Sequence, residues 1–221
     1  MSELLGPGPH TRVRRLPEKA RYDEATIFSI LDEARMCHVA AVVDGRAVAL
    51  PTLHAREGRR LYLHGSRSNA VLAALLDEGR AWVTTTIYDG LRLARSGFES
   101  SIAYRSVVVV GPAREVVNEE EKRRLLDCFV DAVLAGRSRE VRPMSDRELR
   151  LTSVVEVDIE EASAKVSQGP TDDDTDDQNL AIWSGVVPAR LDFGEPVPSS
   201  DGAMASGGLA VPASVRRLLG R

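Results

Sequence analysis

Apolar and polar positions alternate in a way that sets out most elements of this chain. Ile27, Ile30, Leu31 and Ala34 recur at helical spacing behind Asp23, which is suited to cap a first turn, so a helix is predicted there. Met36 to Val43 is an apolar, β-branched run closed by Asp44-Gly45, a dipeptide that favours hairpin turns. Arg46 to Arg56 reads as the next strand, and Pro51 inside it, having no N–H to donate, points to a sheet edge or a bulge. Gly58 punctuates, Arg60 to His64 forms another strand, and Ser68 to Leu76 is a short amphipathic helix with Val71, Leu72 and Leu75 on one side. Ala81 to Tyr88 favours a strand, Asp89-Gly90 a second hairpin-type turn, and Leu91 to Ala94 the start of the returning strand. After a loop at residues 97–101, Tyr104 to Val110 is the most apolar strand of the chain.

Asn118 is placed to cap a helix whose apolar face is Leu125, Leu126, Phe129, Val130 and Val133. Thr152 to Val157 and Ala162 to Val166 are late strands. Thr171 to Asp177 carries five aspartates without the spacing or glycine of a calcium loop, so it is read as a solvated acidic loop. Residues 1–20, with Gly6-Pro7-Gly8-Pro9 and an Arg-rich stretch, are expected to form a flexible arm. Residues 195–221 are expected to form a mobile tail, with a short helix over Val215 to Leu219. Strands in hairpin succession broken by a few helices define an α+β protein on a mainly antiparallel sheet, for which barrel closure removes exposed edges. Neither GxGxxG nor GxxxxGK[ST] occurs, and strands do not alternate regularly with helices, which excludes a Rossmann fold.

Composition narrows the picture further. At 221 residues, 43% hydrophobic and 28% charged, the chain has the makeup of an ordinary globular protein, with length for one sizeable domain or a domain plus an arm. A net charge of −4 argues against nucleic acid or an acidic membrane as partner. Cys37 and Cys128 have no metal-ligand spacing, and Cys37 lies in an apolar strand as a buried thiol. With no run of 18 apolar residues and no secretory leader pattern, a cytoplasmic location is expected.

The densest chemistry lies at Leu61-Tyr62-Leu63-His64-Gly65-Ser66 and the following Arg67-Ser68-Asn69, a strand passing through a turn into a helix. Such a junction offers free N–H groups and a positive dipole end to a phosphate. His64 has three readings: contact to a cofactor, ligation of a haem iron, or a hydrogen-bonded strand end. His54 is either a solvent-facing or a site residue, and His38 reads as a satisfied core histidine. Arg105, in an apolar strand, needs a partner. That partner is a ligand phosphate (the favoured reading), a carboxylate such as Glu99, or a residue across an interface. Arg95 and Ser96 are rim or solvated residues.

Taken in order, several segments resemble the pyridoxamine 5′-phosphate oxidase-like split-barrel family, in its nitroimidazole-resistance-type branch. They are Arg21 to Ile27, Leu31 to Val39, Leu50 to His54, Leu61 to Ser66, Asp89 to Leu91, Tyr104 to Val108, Ala162 to Val166 and Trp183 to Pro188. The resemblance implies a homodimer of six-stranded split barrels spanning residues 21–194, with FMN at the subunit interface and a small-molecule substrate. It places the FMN phosphate near Tyr62, His64, Gly65, Ser66, Arg67, Ser68 and Asn69, and the ring against Pro51, Thr52 and Leu53. It assigns polar contacts to Arg105 and Ser106 and a closing role to Trp183, and it makes the chain an FMN-dependent oxidoreductase. The alternatives are a flavin-binding protein without turnover, or a haem protein with His64 as axial ligand. Two departures stand out. Asn69-Ala70 replaces a Ser-Arg whose arginine would meet the phosphate, and Glu99-Ser100 with Ala103 replaces a His-His pair and an asparagine.

Overall fold

A computed structural model describes residues 5–200 and 209–220. The parts of the expected arm and tail at 1–4, 201–208 and 221 lie outside the described residues. In chain order the elements are β1 (Ala20–Arg21), α1 (Glu24–Glu33), β2 (Cys37–Val43), β3 (Arg46–Thr52), β4 (His54–Glu57), β5 (Arg60–Ser66), α2 (Ala70–Glu78), β6 (Arg80–Leu93) and β7 (Ser101–Glu115). They continue with α3 (Glu119–Val133), α4 (Asp146–Leu151), β8 (Thr152–Asp158), β9 (Glu161–Ser167), β10 (Gly185–Pro188) and α5 (Ala213–Leu218).

Local chemistry starts and stops these elements where the sequence indicates. The Asp23 carboxylate accepts from Thr26 N at 2.9 Å, and Asn118 Oδ1 accepts from Glu121 N at 2.9 Å, capping α1 and α3. Asp44 and Gly45 both adopt positive φ (50° and 73°), the geometry that lets a two-residue loop join the twisted strands β2 and β3. Helix α2 is too short to persist alone. Burial of Val71, Leu72 and Leu75 holds it in place, each contributing about 2 kcal/mol.

All strand pairings are antiparallel, and the hydrogen-bonded path runs β3-β2-β6-β7-β8-β5-β4. The two ends of that path, β3 and β4, are separated in the chain by Leu53 alone. The sheet is therefore tied at that corner and open elsewhere: an α+β split barrel. More strands take part than the six expected, because the predicted strand 46–56 breaks at Leu53 and short strands add to the edges. Pro51 lies on the edge strand β3, as its missing donor requires.

Strand β7 belongs to both halves. Tyr104 to Val110 pair with β9, and Ala113 to Glu115 pair with β8. The inner core, with Ile27, Leu31, Val39, Leu61, Leu63, Leu75, Val107 and Val157, lies between the halves. A second cluster fills the space under α3, from Tyr62, Val116, Leu125, Leu126, Phe129, Leu149 and Val154. Cys37 is fully buried, and burial pushes its thiol up to about 12. No helix among the described residues is long and apolar enough to cross a membrane.

Three expectations are corrected. Asp89-Gly90 is no hairpin turn: β6 runs through it with a bulge between Tyr88 and Gly90, and the chain reverses at 94–100 instead. Gly90 is needed because β10 passes so close that a Cβ there would lie 2.2 Å from the Val187 carbonyl oxygen. Residues 5–19, expected to be a flexible arm, lie on the sheet: Leu5 N donates to Tyr22 O, Ala162 N donates to Leu5 O, and Leu5 enters the core. In the expected tail, α5 is docked by Ser214 N, which donates to Glu140 at 2.9 Å.

The switch of β7 from β9 to β8 generates a prediction. A Cβ at Gly111 would fall 1.7 Å from the Asp158 carbonyl oxygen, a backbone atom that cannot swing away. Gly111→Ala is expected to cost more than about 3 kcal/mol. Thermal or urea unfolding checks this, and a variant as stable as the parent refutes it.

Candidate cofactor site

The last turn of α1 organises the neighbourhood of Leu53. Three consecutive residues each hold a different strand position. The Leu31 carbonyl accepts from His54 Nε2 at 2.8 Å. Asp32 receives Arg56 Nε at 2.7 Å. Glu33 receives the two terminal nitrogens of Arg105 at 2.5 and 2.8 Å.

Arg105 also donates to Asp89 at 2.9 and 2.8 Å, and Gln168 Nε2 donates to Asp89 at 3.1 Å. Two carboxylates thus engage all three nitrogens of the guanidinium. The favoured ligand phosphate is corrected to Asp89 and Glu33, and the alternative carboxylate Glu99 is not its partner. Hydrogen bonds from Arg105 hold both carboxyls below their usual range and raise the guanidinium. The histidines also exchange the places expected for them. His54 is 6% exposed, and burial lowers its pKa, while His38 lies outward.

Along β5 the side chains alternate between the two clusters. Leu61 and Leu63 enter the inner core, while Tyr62 and His64 face α3. Tyr62 is 2% exposed and closed in beneath that helix, leaving no free surface for a cofactor. The His64 ring lies 4.2 Å from the Phe129 ring at an interplanar angle of 49°. Its Nδ1 is enclosed without a partner, the ring makes no hydrogen bond among the described residues, and burial lowers its pKa. His54 is registered with Leu63, so Leu53 falls beside His64 at the ladder's end.

The β5–α2 corner is less open than the sequence suggests. Arg67 N donates to Leu151 O, Asn69 N to Ser66 O and Ser68 N to Ser66 Oγ. Asn69 is the N-cap: its Oδ1 accepts from Val71 N at 3.0 Å and Leu72 N at 3.2 Å. The free amides expected for a phosphate are largely spent. Gly65 serves helix packing, because a Cβ there would meet Leu72 Cδ1 at 3.0 Å and the Asn69 side chain at 3.2 Å. The Ser66 and Ser68 hydroxyls, 2.9 Å apart, remain exposed.

The other expected residues are more dispersed. Pro51, His38, Thr84 and Val108 form one outward row across four strands, with Ser106 two residues along β7 from Val108 on the same face. Thr52 is registered with Cys37. Arg105 points to the opposite face of β7 from Ser106, so the two do not share a site. Trp183 is 66% exposed and stacks against Gly185. The acidic loop is not simply solvated. Asp173 pairs with Arg95 at 2.7 Å with its side chain 6% exposed, and Asp172 pairs with the buried Arg92 at 3.1 Å. Lys122, not selected from the sequence, is 6% exposed under α3. Its signal was a cation on the stripe that continues through Leu125, Leu126 and Phe129.

The sequence model described as pyridoxamine 5′-phosphate oxidase matches residues 23–166, and the chain belongs to that family. Among solved structures it is similar to the flavocytochrome Anf3 from Azotobacter vinelandii, with 33% identity, TM-score 0.88, and 95% of this chain and 96% of that one covered. It is likewise similar to the FAD and heme binding protein from Mycobacterium smegmatis, with 35% identity, TM-score 0.84, and coverage of 90% and 97%. A protein assigned to 5-nitroimidazole antibiotic resistance, from Bacteroides thetaiotaomicron, shares the fold at 23% identity and TM-score 0.57, with 66% and 86% covered. No curated protein matches the chain.

The Arg105 clamp makes a pH prediction. Both carboxyls have lowered folded-state pKa values, so their contribution is present above their ordinary values of 3.8 and 4.5 and fades as pH falls through the folded values. Arg105→Met is therefore expected to be less stable than the parent by about 2 kcal/mol at pH 7. That difference should shrink below about pH 4. Urea unfolding across pH measures it, and a gap independent of pH would count against the clamp.

Proposed function

We propose that this chain is a flavin- and haem-binding oxidoreductase acting on a small molecule as a homodimer, with His64 as the axial ligand of the haem iron. The observation that carries this reading is the state of His64. A metal-binding histidine must be neutral and must present a lone pair. Burial favours the neutral form of His64, and none of the described residues engages either ring nitrogen. His54 lacks that freedom, because its Nε2–H is committed to Leu31 O. Likeness over at least 90% of the chain to a flavocytochrome and to an FAD and heme binding protein supports the same pair of cofactors.

When bound, a flavin supplies hydride and single-electron chemistry, and a haem supplies one-electron chemistry. The chain's own part is binding and orientation. Phe129 packs against the imidazole and limits its rotation, and the Leu53 passage brings β3 backbone beside the His64 corner. The outward row Pro51, His38, Thr84 and Val108, continued by Val42 at 67% and Tyr88 at 49% exposure, is the surface assigned to the second copy. Cys37 and Cys128 are free thiols, in keeping with a cytoplasmic setting.

Protein produced with haem available is expected to show a Soret band together with flavin absorption. His64→Ala should lose the Soret band and keep its circular dichroism and flavin content. Full haem retention in that variant would eliminate the assignment of His64. Light scattering should give a dimer for the parent and a monomer for Val108→Arg, with flavin lost from the monomer. A Val108→Arg dimer with normal flavin content would move the interface elsewhere.

A further inference from the structure

The face of α3 that packs on β5 and β8 begins with a cation. Lys122 is 6% exposed and shares that stripe with Leu125, Leu126 and Phe129, yet among the described residues its ammonium makes no hydrogen bond and no ion pair. Among the described residues no carboxylate lies within ion-pair distance of that ammonium, so its charge is available to an anion from outside the polypeptide. The ammonium is absent from the fully enclosed unpaired atoms, so the tip remains reachable while its stem is covered.

The charged groups facing Lys122 are Arg67 from the β5–α2 corner, Glu115 at the end of β7 and Glu119 in the first turn of α3. Glu115 is held only loosely, 3.6 Å from Arg67 and 3.4 Å from the Ser153 hydroxyl, and neither it nor Glu119 forms an ion pair with Lys122. Gly65 is registered with Ser153 and Ser66 with Thr152, which puts the Ser66 and Ser68 hydroxyls at the same end of the sheet. Two cations, two carboxylates and two hydroxyls therefore border one corner, while the α2 amides beside it are already taken by Asn69.

We propose that Lys122, together with Arg67, holds the phosphate of the bound flavin, in place of a cation from the first turn of α2. This rests on the flavin reading above. A guanidinium and an ammonium on either side of a phosphate give charge-assisted hydrogen bonds, and the serine hydroxyls supply neutral ones. Burial and the neighbouring Arg67 both lower the Lys122 pKa, and a bound anion reverses the second of these effects. Arg67, with its side chain 59% exposed, is free to leave Glu115 for the phosphate.

The test is a fluorescence titration of the flavin-stripped full chain with FMN and with riboflavin, which lacks the phosphate. Lys122→Met is expected to weaken FMN binding about tenfold or more. Riboflavin binding should be unchanged, and Lys122→Arg should keep most of the FMN affinity. The melting temperature of stripped Lys122→Met should equal or exceed the parent's, since no ion pair is lost and an apolar side chain replaces the lysine stem on the apolar stripe. Added salt should weaken FMN binding to the parent more than to Lys122→Met. Wild-type FMN affinity in Lys122→Met overturns the inference and leaves the flavin reading standing. So does an equal loss of FMN and riboflavin, or a loss of haem binding with FMN binding intact. A parent chain that binds neither flavin removes the flavin reading itself.

Discussion

Two halves of a sheet can share one strand only where that strand is free of side-chain bulk at the handover. In β7 that position is Gly111, which sits against the Asp158 carbonyl at a distance no Cβ tolerates. The turn between β8 and β9 crosses there, so the strands on either side of β7 are consecutive in the chain yet belong to different halves. At the opposite corner Leu53 does the complementary job, joining β3 and β4 with a single residue. Everything proposed for the site depends on these two corners. Leu53 brings the end of β3 beside His64, and the handover in β7 places Glu115 within reach of Arg67 and Ser153.

The last turn of α1 locks this arrangement. Leu31, Asp32 and Glu33 tie His54, Arg56 and Arg105, so one helix end fixes the register of two elements distant in sequence. Arg105 carries the largest share, because its side chain is only 20% exposed and four hydrogen bonds to two carboxylates meet it. Exposed ion pairs such as Arg142 with Glu148 have better solvation and contribute much less. A partly buried guanidinium held by two carboxylates explains why this strand tolerates an arginine without any ligand.

Much of the fold was legible because its signals are local. The caps Asp23 and Asn118, the Asp44-Gly45 turn and the apolar stripe of α3 each need only a few neighbouring residues to be read. Most of the failures involve distant partners. Gly90 looks like a turn glycine, yet it answers a strand nearly a hundred residues away. Alternation gives the period of a strand but not its phase across a break, so the crossing at Leu53 sends His54 inward, while His38 lies outside because Cys37 and Val39 take the core side of β2. The partners of Arg105 are 16 and 72 residues distant, beyond any spacing rule.

The chemistry of the candidate site was less legible than the fold, and Asn69 shows why. An amide side chain after a strand serves equally as a cap or as a ligand contact, since both use the first N–H groups of the helix. Once Asn69 Oδ1 occupies those amides it presents a carbonyl dipole where a phosphate would sit, and the helix end stops being attractive to an anion. A chain that caps α2 in this way must place its cations elsewhere. Arg67 and Lys122 are the cations that border the corner, and Lys122 has a covered stem and, among the described residues, no ion-pair partner. The departure from the family pattern at Asn69-Ala70 and the unpaired lysine on α3 thus read as two halves of one change. The positive charge has moved from the helix that begins at the corner to the helix that lies across it.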